Sequence, residues 1–595
     1  MWRNHYVTLL AAAVLFISIT NGLPHDDHDP TDMTMGMGNK MNHSGGMLES
    51  IPDEEKSRTM SYFAYQKNVG TILAHIILMV LAWGFVLPIA VMFSIARSRY
   101  TIPTQVLFLV VNGLGLLFGI VYNSQTPDLY ENNAHHKIGW IATWIVVAQV
   151  IIGIIYAYSG QGRDNAGVIY ERAAFLPVPT EAVMESQQPY STDAVHEYRW
   201  SGDSGQGTER NSASLRSCPS PTETHYLTPP DEFEHYGKLD EDTDDAPAPR
   251  YSFQNTILER FFSTRMPRLA SVRVLRIFHV AYIIINRICL PFGFIAITTG
   301  GVTYGGIFRG DGVFSGLAHF IKGGIFFWYG LVILGRFMGC WAEFGWAWNV
   351  KPPRALVGKW KARIPTGEFM ESFLIFLYGS TNVFLEHLAA WGQTWSAIDL
   401  QHISISIMFF GGGLCGMLLE SRRVREWLNK TVIRSSSHSP DLAWRVPDTQ
   451  TVSLNPMPAL IILLLGTMMG SHHQAKMISS MVHKQWGMLL AGGALARVAT
   501  YILLYVKPPI SYLPSRPPSE VVAAFCLISG GLIFMLSASD IINVMDYYQL
   551  DAMFTFNVAM GLTAFIMAWE ILAIAIKAWA ANTEAPPRPS FRFSA

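Results

Sequence analysis

The sequence predicts an all-α membrane protein with about eleven transmembrane helices, and three observations carry that prediction. Half of the 595 residues are hydrophobic and only 15% are charged, whereas soluble globular chains carry about 25% charged residues. Apolar runs long enough to cross a bilayer recur along the chain. These runs are continuous and do not alternate as barrel strands would, and a helix satisfies its own backbone hydrogen bonds in lipid.

Charge and cysteine content exclude several other classes of protein. The formal net charge of −1 argues against nucleic acid as a partner, because phosphate binding requires a basic surface. The five cysteines are scattered and form no CxxC pair, which excludes a disulfide scaffold and a zinc finger. The expected partner is the lipid bilayer.

The first sixty residues read as an export signal followed by a polar tail. An apolar run from Tyr6 to Ile19 and a small-residue site near Gly22 predict a signal peptide over 1–22. Residues 23–60 then lie on the exoplasmic side. They are rich in histidine and methionine, ligands that suit copper; the alternative is a low-complexity tail without a metal role.

The predicted spans fall into two groups. They lie at 69–96, 104–122, 135–158, 277–299, 313–336, 369–391, 399–419, 457–473, 485–506, 520–538 and 552–576. The first three form an N-terminal unit over 61–160, and the other eight form a C-terminal domain over 271–580. Between them, residues 161–270 are rich in Ser, Pro, Gly and acids, which predicts a disordered cytosolic linker. Residues 581–595 form a cytosolic tail.

Basic residues predict the orientation of the spans. Five clusters fall on one side of the membrane if the mature N-terminus is exoplasmic, which places the C-terminus in the cytosol. The clusters contain Arg97 and Arg99; Arg260, Arg265, Arg268, Arg273 and Arg276; Lys351, Arg354, Lys359, Lys361 and Arg363; Arg422, Arg423 and Arg425; and Lys507. This pattern indicates a multi-pass protein of the secretory pathway, in the plasma membrane, the vacuole or the endoplasmic reticulum.

Most intramembrane histidines fall in the exoplasmic half, and one pair suggests a cofactor. His75 lies in the first span and His136 opens the third. Two imidazoles that face each other across a small bundle are what six-coordinate b-type haem iron requires. The alternative is that these histidines are polar anchors at the interface.

A second histidine group predicts a metal site. His387, Asp399 and His402 flank a short exoplasmic loop, and His473 and His483 lie at the same level of the membrane. Asp399 and His402 share a helical face because they are three residues apart. The grouping suits zinc, copper or iron; the alternative is a hydrogen-bonded helical hairpin.

Charged residues inside the spans have a structural interpretation. Arg497 falls in the middle of a span and Glu570 lies in the last span. Buried charges in membranes pair with one another, so a pairing such as that of Arg497 with Glu570 is expected.

Part of the N-terminal unit resembles the cytochrome b561 family. The likeness rests on the segment that begins His75-Ile-Ile-Leu-Met and runs to Arg97, and on His136-Lys137-Ile138-Gly139. The resemblance implies that His75 and His136 are the axial ligands of one haem b. The second span contains no histidine, so a second haem pair is not expected.

The whole architecture resembles the fungal Ytp-type membrane proteins, whose biochemical role is undefined. The likeness is carried by four short motifs. They are His319-Phe-Ile-Lys322, Gly345-Trp346-Ala-Trp348-Asn349, Glu386-His387-Leu388 and Asp399-Leu-Gln-His402.

Three functions remain open on the sequence. The first is a haem- or metal-linked redox or electron-transfer role on the exoplasmic side. The second is non-enzymatic binding or transport of a transition metal through the His387, Asp399 and His402 group. The third is a membrane assembly or trafficking factor in which neither site is occupied.

Overall fold

The structure is a computed structural model, in which the described part of the chain belongs to one compact unit. It describes residues 61–65, 67–158, 272–310, 312–386, 394–395, 397–434, 447, 450, 452–471 and 474–584. The predicted signal peptide (1–22), tail (23–60) and linker (161–270) lie outside the described residues, as do His387 and His473. Regular secondary structure within the described residues is entirely helical, as the composition predicts.

The helices follow the apolar runs of the sequence. In chain order they are α1 Val69–Ile95, α2 Thr101–Gln125, α3 Ala134–Tyr158, α4 Val272–Gly305, α5 Gly312–Met338, α6 Arg354–Arg363, α7 Gly367–Glu386, α8 Ala397–Glu420, α9 Arg422–Arg434, α10 Met457–Gly470, α11 Met477–Val506, α12 Ser519–Leu536, α13 Ser539–Tyr547 and α14 Ala552–Glu584. A π-helical segment, Leu81–Val86, interrupts α1.

Nine helices of the described chain are long and apolar enough to cross a membrane. They are α1 to α5, α8, α11, α12 and α14. Two other predicted spans coincide with helices outside this set. The helix α7 carries Glu368 and Glu371 near its start, and α10 has only 14 residues, about 21 Å at 1.5 Å per residue.

The helix α4 packs with the three N-terminal helices. Ala82, Phe108, Val146 and Cys289, from four successive helices, share one hydrophobic core. The four-helix group α1–α4 therefore spans the division that the sequence suggests between the first three spans and the rest. That division follows the long polar segment, which gives no information about the packing partner of α4.

The C-terminal helices form a second core with close backbone contacts. Phe327, Trp486, Ile528 and other buried residues of α5, α8 and α10 to α14 belong to it. A Cβ added to Gly487 on α11 would lie 2.5 Å from the carbonyl oxygen of Gly466 on α10. Glycine is therefore required where these two helices touch, as is common where membrane helices pack closely.

Contacts to α14 connect the two cores. The indole Nε1 of Trp569 donates to the Gly84 carbonyl in the π-helical segment, at 3.0 Å. Where α1 and α14 both end, Glu584 accepts from the Ser98 hydroxyl at 3.2 Å. We call this end, with the segment 339–366, the arginine end. The opposite end, which carries His75, is called the histidine end.

Candidate functional site

The first candidate site surrounds His75, about 9 Å along α1 from its start. The Nδ1 atom of His75 lies 2.8 Å from the Gly115 carbonyl oxygen on α2. Since a carbonyl only accepts, Nδ1 carries the hydrogen and Nε2 carries the lone pair. A Cβ at Gly119 would lie 2.8 Å from His75 Nδ1, so α2 accommodates the imidazole by presenting glycine.

His135, from the start of α3, completes the pair. Its ring centroid lies 6.2 Å from that of His75, and the two ring planes meet at 78°. The Nδ1 atom of His135 lies 3.4 Å from the Thr299 hydroxyl on α4. A Cβ at Gly300 would lie 3.0 Å from the His135 ring. All four helices of the group therefore shape the pair.

The structure pairs His75 with His135 instead of the expected His136. His136 is exposed, and its backbone N–H donates to the Asn133 side chain at 3.1 Å. The physical reason is rotation: consecutive residues of a helix differ in direction by about 100°, so only one of the two histidines faces α1. The positions of His135 and His136 in the sequence do not show which of them faces α1.

The pair has the chemistry of a two-ligand metal site. An ion bound by two imidazole nitrogens at about 2 Å each holds the ring centroids about 5–6 Å apart. Ligating histidines usually donate their second N–H to a carbonyl or another acceptor, as His75 does here. Within the described chain no three His, Cys, Asp or Glu side chains form a group that could hold a metal ion. Haem iron needs only two protein ligands, because the porphyrin supplies the other four.

Buried polar side chains line the four-helix group below the pair. The Trp83 indole donates to Asn112 at 2.9 Å, and Asn112 donates to Thr143 at 3.2 Å. Further from the pair, Gln149 donates to Asn286 at 2.9 Å. These bonds connect α1, α2, α3 and α4 in turn, and they fix the helices that hold the two imidazoles.

The second predicted group is only partly described. Asp399 and His402 are half-buried on α8, one turn apart as the spacing requires. His483 lies on α11, where its Nδ1 hydrogen-bonds the Ser479 carbonyl at 2.8 Å. His387 and His473, the remaining predicted ligands, lie outside the described residues.

A buried charge cluster at the arginine end was not predicted. Arg336, at the end of α5, donates to Glu368 at 2.9 Å and to Glu371 at 2.5 Å on α7. Its Nε donates to the Trp346 carbonyl at 2.6 Å. Arg336 is 2% exposed, and its guanidinium carbon lies 4.3 Å from the centre of the Trp348 ring.

Arg497 of α11 extends the cluster and corrects one expectation. It contacts Glu371 at 3.2 Å and Glu520 of α12 at 2.7 Å, so the expected pairing with Glu570 is wrong. Glu570 Oε2 is buried with no hydrogen-bond partner in the described chain. Arg497 pairs with Glu371 and Glu520 because α7 and α12 place these two carboxylates next to its guanidinium.

A sequence signal for the cluster does exist. Glu368 and Glu371 are three residues apart and therefore share one face of a helix. The nearby motif with Trp346 and Trp348 supplies the carbonyl and the aromatic ring that contact Arg336. Polar residues at span ends are commonly membrane-interface anchors. The sequence alone therefore does not distinguish Glu368 and Glu371 from such anchors.

These features define a multi-pass integral membrane protein with two polar sites inside its helical bundle. The chain belongs to the fungal YTP1-like family of membrane proteins. The family model described as "Protein YTP1-like, C-terminal" matches residues 292–578. A second model, "Domain of unknown function (DUF2427)", matches residues 56–159.

Fungal relatives match most of the chain. It is 33% identical to "Uncharacterized membrane protein C3B8.06" of Schizosaccharomyces pombe, over 92% of this chain and 99% of the relative. It is 31% identical to "Uncharacterized membrane protein YCR061W" of Saccharomyces cerevisiae, over 89% of this chain and 86% of the relative. "Protein YTP1" of the same yeast is 29% identical over 28% of this chain and 30% of its own length. No solved structure matches the chain significantly.

Proposed function

We propose that the four-helix group binds one b-type haem through His75 and His135 and serves in electron transfer. The observation that carries the proposal is the meeting of two imidazoles from different helices, with ring centroids 6.2 Å apart. The resemblance to the cytochrome b561 family, which implies His75 and His136 as ligands, supports the same cofactor, while the distance between the rings favours His135 over His136 as the second ligand.

The residues around the pair fit such a group. The Gly115 carbonyl fixes the His75 tautomer with Nε2 available as a ligand. The Thr299 hydroxyl lies near His135 Nδ1, and Gly119 and Gly300 leave room for the rings. Bound haem would supply a one-electron couple. The surrounding apolar helices would exclude water and tune its potential.

The charge pattern supports an exoplasmic position for this site. The basic clusters favour a cytosolic location for the arginine end, which places the histidine end toward the lumen or the cell exterior. The methionine- and histidine-rich segment 23–60 would lie on the same side. There it would collect copper or iron ions that exchange electrons with the haem.

Optical spectroscopy of purified variants tests the proposal. His75→Ala and His135→Ala should each abolish the reduced-minus-oxidised haem spectrum. His136→Ala is the matched control, because this neighbouring histidine is exposed, and it should retain the spectrum. A wild-type protein with bound copper but no haem would refute the haem assignment, and a spectrum lost only in His136→Ala would refute the pairing.

A second metal function is supported by the arrangement on α8. Asp399 and His402 are half-buried and one turn apart, as two ligands or a ligand and its orienting carboxylate would be. We propose that they bind zinc, copper or iron together with His387, His473 and His483. Metal analysis after chelation and reloading tests this, and equal metal content in His402→Ala and wild type would refute it.

A further inference from the structure

The helix α9 follows the membrane-spanning helix α8 after a single residue and has two chemically different faces. Val424, Trp427 and Leu428 are three and four residues apart and therefore share one face. Trp427 is 65% exposed and Leu428 is 62% exposed, so the described chain leaves most of these two side chains uncovered. The helix carries five cations and one carboxylate. Basic amphipathic helices with Trp and Leu on the apolar face are typical of the membrane interface.

Hydrogen bonds fix the point at which α9 leaves α8. The carboxylate of Glu420, the last residue of α8, accepts from the Thr366 hydroxyl at 2.7 Å and from the Ser453 hydroxyl at 2.6 Å. The Arg425 guanidinium donates to the Glu420 backbone carbonyl at 3.1 Å. Because Thr366 belongs to the arginine end and α8 is long enough to cross a membrane, α9 begins where α8 reaches the membrane surface.

A groove of about 340 Å³ lies between α8 and α9. Its walls include Leu414 and Leu418 of α8 and Leu428 of α9, and Arg425 is the one charged residue that lines it. This volume is at the lower end of the range of small-molecule sites. Arg425 makes one hydrogen bond to the chain and has five N–H donors. The groove therefore joins an apolar wall to a cation with donors to spare.

Further positive charge lies beside the groove. Arg422 and Arg423 are exposed on the first turn of α9. Arg422 lies close to Lys351, because burial and this neighbouring guanidinium both lower the pKa of Lys351. Guanidinium groups bind phosphate through paired hydrogen bonds. An acidic peptide would match the charges alone, whereas an apolar groove on a membrane-spanning helix also matches the hydrocarbon chain of a lipid.

We propose that α8 and α9 bind one anionic glycerophospholipid. One acyl chain occupies the groove, and the phosphate lies against Arg422, Arg423 and Arg425. Clusters of basic residues on amphipathic helices recognise the anionic lipids of the cytosolic leaflet, which is the leaflet that the charge pattern favours for the arginine end. The site lies apart from the proposed haem pair and does not depend on it.

Native mass spectrometry of the delipidated full-length protein tests the charge requirement. The wild type should bind one added phosphatidylserine at least about tenfold more tightly than phosphatidylcholine with the same acyl chains, since each cation near an anionic surface contributes about fivefold. Arg422→Gln/Arg423→Gln should lose this preference. Lys359→Gln/Arg363→Gln is the matched control, because it removes two exposed cations from α6 at the same end, and it should keep the preference. A wild type without the preference, or an equal loss in both double variants, would overturn the proposal.

Filling the groove tests the acyl-chain requirement independently of charge. Gly411 lines the groove, and a Cβ added there has nothing within 4 Å. Gly411→Leu should therefore keep the wild-type melting temperature and weaken phosphatidylserine binding by at least about tenfold, because each buried CH₂ group contributes about fourfold. Gly561→Leu on α14 is the matched control, since Gly561 is equally open and lies outside the groove. Unchanged binding in Gly411→Leu, or an equal loss in Gly561→Leu, would contradict the assignment.

Discussion

Replacement of Arg336 by methionine is expected to destabilise the protein strongly and in a pH-dependent way. The substitution removes the guanidinium that hydrogen-bonds Glu368 and one of the two that bond Glu371. Glu368 is 4% exposed and would have to take up a proton. Protonating a carboxyl with a reference pKa of about 4.3 costs about 3.7 kcal/mol at pH 7 and about 1 kcal/mol at pH 5, at 1.36 kcal/mol per unit.

Thermal or denaturant unfolding, followed by tryptophan fluorescence in detergent, measures this cost. The expected loss is about 3–4 kcal/mol at pH 7, in line with the loss of one partner from a buried ion pair. Lys476→Met is the matched control, because Lys476 pairs with Asp546 at 2.8 Å while both side chains are at least 43% exposed. That pair should contribute about 0–1 kcal/mol. Equal losses in the two variants, or a loss that does not shrink toward pH 5, would refute the reasoning.

Two further predictions test the helix packing and the arginine end. Gly487→Ala should destabilise by about 1–3 kcal/mol in the same unfolding assay, because its Cβ would clash with the Gly466 backbone. Gly561→Ala, with nothing within 4 Å of the added Cβ, should be neutral or stabilising; equal destabilisation of both would contradict this. Burial raises the pKa of the Cys340 thiol, and the thiolate is the reactive form. In a single-cysteine variant at pH 8, Cys340 should therefore be alkylated more slowly in the folded protein than in the denatured protein, with a rate that rises with pH; equal rates in the two states would contradict the burial.

The sequence predicts the helices well because lipid imposes one strong rule on them. Each predicted span coincides with a helix of the described chain, since an apolar run in a bilayer must satisfy its own backbone. The helix neighbours were less predictable. The helix α4 packs on α1–α3 because its apolar face fits Ala82, Phe108 and Val146, and hydropathy does not encode that complementarity.

The candidate site was predictable by residue type and only partly by position. The sequence predicts that His75 meets a histidine at the start of α3. Whether that histidine is His135 or His136 depends on the rotation of the helix. The charge cluster depends on contacts between residues such as Arg336 and Glu520, which are far apart in the chain. Their pairing is a property of the folded bundle, and local spacing reveals only Glu368 and Glu371 as a shared face.

The haem content of the purified full-length protein tests the central claim most directly. Haem extracted from the protein and quantified against polypeptide should give one haem b per chain in the wild type and none in His135→Ala. Protein that folds and carries no haem after expression with ample haem supply would contradict the assignment of His75 and His135 as its ligands.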